Sequence, residues 1–140
     1  MRRTYFESPI VMTTVRLVAP FALTYGAFVT LHGAESPGGG FQGGVVVAAT
    51  VITVAFAFGV RPTVDWVDER VVVGVFAGGM LAFGAVTVGT VLLGGAVLQV
   101  DLLPVSIKYG IEAVEVFIGA IVAGVVTSLF FLLSEGGDGE

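Results

Sequence analysis

Four apolar runs, each of bilayer-spanning length and each bounded by a short stretch rich in Gly, Pro or charge, constrain this chain more than anything else in it. A hydrocarbon layer about 30 Å thick is crossed by a helix of about 20 residues. The runs fall at about 8–31, 43–60, 71–97 and 106–133. Charged residues make up 12% of the chain, half the roughly 25% usual in soluble domains. The expected fold is all-α: one polytopic membrane domain over residues 1–140, with four transmembrane helices embedded in the lipid bilayer.

The remaining composition excludes several functions. There is no cysteine, hence no disulfide, thiolate metal site or cysteine nucleophile, and His32 is the one histidine, so a histidine-rich metal cluster cannot form within one chain. A net charge of −5 argues against nucleic acid, whose binding draws on basic patches. No nucleophile and base pair, metal set or cofactor loop is legible, so the expectation is no enzyme, no cofactor and no metal.

The first run opens with Ser8-Pro9, a capping residue followed by a proline where no helical hydrogen bond is lost. Tyr5 and Phe6 precede it as interfacial aromatics. Arg2 and Arg3 ahead of an apolar stretch mimic a signal peptide, but Arg16 and Pro20 interrupt the stretch and no small-residue cleavage site follows, which favours a retained helix. Pro20 pushes against the carbonyl of Arg16, predicting a kink beside a charge. Arg16 either snorkels to the near interface or meets a buried or inter-subunit partner.

Between the first two runs lies Ser36-Pro37-Gly38-Gly39-Gly40-Phe41-Gln42-Gly43-Gly44. Gly38-x-Gly40-x-x-Gly43 matches a dinucleotide fingerprint in letters alone. That fingerprint needs a preceding strand and a βαβ unit, and here the flanks are membrane runs without a Walker Lys-Ser/Thr pair. The stretch reads instead as a tight connection in which Phe41 packs and Gln42 bonds exposed backbone.

Further on, Arg61-Pro62-Thr63-Val64-Asp65-Trp66-Val67-Asp68-Glu69-Arg70 reads as a solvated loop in which Pro62 ends a helix and Trp66 anchors at the interface. Gly74, Gly78 and Ala82 align small residues for close helix approach. Asp101 and Pro104 suit the start of the last helix. In that helix Lys108, Glu112 and Glu115 share one face, which Gly119 and Ala123 prolong as a groove. Counting back from Leu133 places Glu115 inside the membrane, the default position of a group that handles ions or protons. The basic residues Arg2, Arg3, Arg61 and Arg70 fall on one side and Lys108 on the other, predicting an N-in/C-in arrangement with the glycine loop outside.

Arg16-x-x-x-Pro20, Leu31-His32-Gly33 and Pro37-Gly38-Gly39-Gly40-Phe41-Gln42-Gly43-Gly44 together resemble the MnhB/MrpB family, one of the membrane components of the multisubunit Mrp/Mnh Na+/H+ antiporters, over most of the chain. The family commonly has a histidine directly after the glycine matching Gly33; here Ala34 stands there and Glu35 follows. The resemblance implies an accessory cell-membrane subunit that works with other antiporter-complex membrane subunits, with Na+ and H+ as the transported ions. Its ion-path candidates are Arg16, His32, Glu112 and Glu115. The alternative is a purely structural scaffold in a related hydrogenase-like or respiratory membrane complex.

Overall fold

A computed structural model describes residues 8–136; Arg2, Arg3, Tyr5 and Phe6 lie outside the described residues. The helices are α1 (Pro9–Leu31), α2 (Gly40–Phe58), α3 (Val60–Val67), α4 (Glu69–Leu92) and α5 (Ile107–Gly136), with a 3-10 turn at Val100–Leu102 before α5. All except α3 are long and apolar enough to cross a membrane. Ser8 caps α1, its hydroxyl accepting from the Val11 amide, and α1 runs on through Pro20 as one helix.

The four long helices stand in the order α1, α2, α5, α4, so that α2 and α5 are central and α1 and α4 flank them. Glycine decides this order. A Cβ added at Gly44 of α2 would lie 2.7 Å from the Gly119 carbonyl oxygen on α5, and one at Gly43 would lie 2.7 Å from the Gly26 carbonyl oxygen on α1. Backbone therefore meets backbone on two sides of α2, the close approach by which helices associate where water supplies no hydrophobic drive. The groove expected at Gly119 and Ala123 holds Gly40 and Gly44.

Few large side chains are interior: the buried apolar set is Ala48, Ala55, Ala57, Val72 and Phe131, while residues such as Phe21, Leu81 and Leu133 are exposed. Several hydroxyls within the spans are satisfied along their own helices, as where Thr24, Thr50, Thr53 and Thr87 each donate to the carbonyl four residues earlier, whereas the buried hydroxyl of Ser128 on α5 has no partner among the described residues. Backbone-bonded hydroxyls of this kind are tolerated in lipid.

Several local expectations change. The charged segment is not a loop, because residues 60–67 form α3. Gly59, at φ +101, turns the chain out of α2, and Pro62 sits in the first turn of α3, where its missing N–H costs nothing. Thr63 is fully buried there and donates to the Gly59 carbonyl, while Arg61, Asp65, Asp68, Glu69 and Arg70 are exposed. The Asp68 carboxylate accepts from the Arg70 amide and caps α4.

α4 stops at Leu92, short of Val97, in a turn with Gly94 at φ +84. Asp101 does not cap α5: it lies in the 3-10 turn and accepts from the side-chain amide of Gln99 at 3.3 Å. Among the described residues nothing lies within reach of a Cβ at Gly74 or Gly78, and the glycine of α4 that packs on α5 is Gly79, with the Phe117 carbonyl oxygen 3.0 Å from its would-be Cβ. Phe41 does not pack in the connection, being 60% exposed, because its neighbours Gly40, Gly43 and Gly44 take the buried positions.

Candidate functional site

Gly39 and Gly40 end the connection between α1 and α2, and Glu115 reaches them from the third turn of α5. The Gly40 amide, the first in α2, donates to Glu115 Oε2. Around the carboxylate, a Cβ at Gly33 would stand 3.2 Å, and one at Gly39 3.0 Å, from Glu115 Cδ. Gly39 adopts φ +143, a region side-chain-bearing residues rarely enter. Three glycines thus form a cradle that backbone alone can build, and the half-buried Glu115 fills it.

The electrostatics favour an anion at this position. α2 has no charged residue of its own, and the free amides of its first turn carry the positive end of the helix dipole. A carboxylate there gains about 0.3–1 kcal/mol, and up to about 2 kcal/mol where partly buried. The opposite pole of α2 meets a cation: the Arg16 guanidinium of α1 lies 5.5 Å above the ring of Phe58, the last residue of α2, and Phe58 packs edge-on against Trp66 of α3 at 5.6 Å. At about 1.5 Å per residue, Gly40 and Phe58 are about 27 Å apart, so Arg16 and Glu115 serve opposite ends and do not pair.

Above the cradle, Lys108 Nζ lies 2.6 Å from Glu35 Oε1 in the connection and 4.0 Å from Glu112 Oε1 one turn along α5. The hydrogen bond and charge of Lys108 hold the Glu35 carboxyl below the usual carboxylate range, with His32 adding a smaller effect. His32 stacks on Phe28 at 4.1 Å and 25°, with Nδ1 3.1 Å from the Phe28 carbonyl oxygen. Of the four candidates, His32, Glu112 and Glu115 gather at the loop end, and Arg16 stands at the other. Among the described residues no group of three or more His, Cys, Asp or Glu is placed to hold a metal ion.

Residues 10–132 match the family described as "Domain related to MnhB subunit of Na+/H+ antiporter". This chain belongs to that family. Among curated proteins, it is 37% identical over 60 residues to proteins named "Putative antiporter subunit mnhB2" from Staphylococcus aureus strains Newman, JH1 and COL, a stretch covering 42% of this chain and 43% of each relative. The matched stretch thus spans less than half of those relatives. Membership of the MnhB family, with four membrane-crossing helices, makes this a multi-pass cell-membrane protein.

Within this MnhB-family chain, the residue that sequence reasoning left without a role is Glu35. The orientation expected from the arginines already put the glycine connection and Lys108 on one side of the membrane. Glu35 is the acid of that connection, so its bridge to Lys108 was within reach. The joining of Glu115 to Gly40 was not, because these residues stand 75 positions apart and nothing local links them.

Proposed function

We propose that this protein is an accessory subunit of a Na+/H+ antiporter, working with other membrane subunits and contributing both to assembly and to the cation route at subunit interfaces. Four crossings return the chain to its starting side, and Arg61 of α3 and Arg70 at the start of α4 favour N-in/C-in, with the cradle facing outward. The observation that carries the reading is the carboxylate of Glu115 seated among Gly33, Gly39 and Gly40. Holding a charge at the end of a membrane-spanning helix with backbone rather than with a basic side chain leaves its negative charge available to a passing cation. Glu112 extends the acidic face one turn outward, towards Lys108.

The family name, Na+/H+ antiporter, supplies the ions, and the shape of the molecule supplies the need for partners. Among the described residues nothing stands against Gly74, Gly78, Gly84 and Gly89 of α4, and small residues of this kind serve close helix contact. The test is sodium–proton exchange by membrane vesicles carrying the assembled complex. Glu115→Gln keeps an oxygen for the Gly40 amide and removes the charge, and is expected to cut exchange at least several-fold while the complex still assembles. If Glu115→Gln and Arg16→Gln both assemble and exchange normally, the route does not involve these groups and the subunit is a scaffold.

A further inference from the structure

The connection between α1 and α2 is fastened to α5 at two points of different chemistry. The inner point is the Gly40 amide on Glu115. The outer one is the bridge of 2.6 Å between Glu35 and Lys108, whose side chains remain 56% and 48% exposed. Glu35 lies between Gly33 and Gly39, the two glycines that press on the Glu115 carboxylate. Lys108 and Glu115 are two turns apart on one helix, a rise of about 10 Å. The bridge therefore holds down the same short piece of chain that covers the inner carboxylate.

We propose that the Glu35–Lys108 pair is a latch that sets how far Glu115 is open to ions in the solution on the loop side. The proposal deepens the reading of Glu115 as a cation-handling group, since it concerns the access of monovalent cations to that residue. An exposed pair biases an open–closed balance by no more than about five-fold and is screened by salt, so the latch is easily tipped. Glu112, 4.0 Å from Lys108, offers the lysine a second partner on its own helix when Glu35 lets go. The strap then lifts without leaving a cation unpaired. The ionisable groups around it are His32 and Glu35 from the connection, and Lys108, Tyr109, Glu112 and Glu115 from α5.

The experiment is reaction of the detergent-solubilised intact complex with a water-soluble carbodiimide and an amine, with modification at Glu115 followed by peptide mass spectrometry. Glu35→Gln and Lys108→Gln are each expected to speed modification of Glu115 about two- to five-fold, and the exchanged pair Glu35→Lys with Lys108→Glu to bring it back towards the original rate. Choline chloride should speed the unaltered protein and leave Glu35→Gln unmoved. Unchanged rates in both single variants, or an exchanged pair as fast as the singles, would overturn the latch. Sodium–proton exchange by the same variants is a separate readout: a latch that opens without altering exchange upholds the strap and removes the cation route from Glu115.

Discussion

The amide of Gly40 and the carboxylate of Glu115 form one hydrogen bond that joins the first turn of α2 to the third turn of α5. This bond turns a loop and a charge into a single site. It also fixes α2 against α5 at the point where their backbones come closest.

Backbone contact at Gly40 leaves no room for a side chain, since a methyl there would collide with the Glu115 carbonyl. Gly40→Ala should therefore separate the two helices at a cost of about 1–3 kcal/mol, read as a lower unfolding temperature and weaker co-purification of the complex. Gly74→Ala, with nothing within reach of its Cβ, should leave the fold intact and even favour the helix by up to about 1 kcal/mol. Equal falls in unfolding temperature in the two variants would contradict the packing described, whereas co-purification can also fall in Gly74→Ala if that face meets a partner.

Glu115 should show graded behaviour. Glu115→Gln retains an acceptor and gives up the charge opposite the α2 dipole, for a loss of about 1 kcal/mol. Glu115→Leu also strands the Gly40 amide, adding about 1–3 kcal/mol. Thermal unfolding of the two variants in one detergent should rank them in that order.

At the far pole of α2, Arg16 and Phe58 should behave as a coupled pair. Cation–π contacts contribute about 0.5–1 kcal/mol where exposed, so Arg16→Gln should destabilise by about that much and Phe58→Leu by more, since it also loses the edge contact with Trp66. Their combination should cost less than the sum, and a double-mutant cycle by thermal unfolding measures the difference. Strict additivity would mean that the guanidinium does not act through the ring.

The Glu35 bridge has a definite pH direction. Its carboxyl is held low by Lys108, so the contribution of the bridge is complete above the ordinary carboxylate pKa and disappears as pH falls through the lowered value. Titration of Glu35 by carboxyl NMR should therefore show a midpoint that rises in Lys108→Gln. A midpoint unmoved by that change would show that the lysine is not its partner.

Much of this architecture could be read in the chain itself. Length and apolarity located four crossings, Ser8-Pro9 marked the start of α1, and the spacing of Lys108, Glu112 and Glu115 put them on one face. Residues 60–70 misled because Pro62 marks a first turn as readily as a helix end, and the charges of α3 are solvated in either case. Gly74 and Gly78 misled because a small-residue stripe says that something packs close, not whether it belongs to the same chain. The site needed the fold, since its two halves come from opposite ends of the sequence.

The distance between those halves along the chain also sets an order of events. The ribosome makes Gly40 first and Glu115 75 residues later. While α2 and α4 are being inserted, the first amide of α2 has no carboxylate, and Glu35 has no lysine. The glycine connection stays an unfinished joint until α5 enters the bilayer. Completion of the site therefore reports that α5 has been made and threaded.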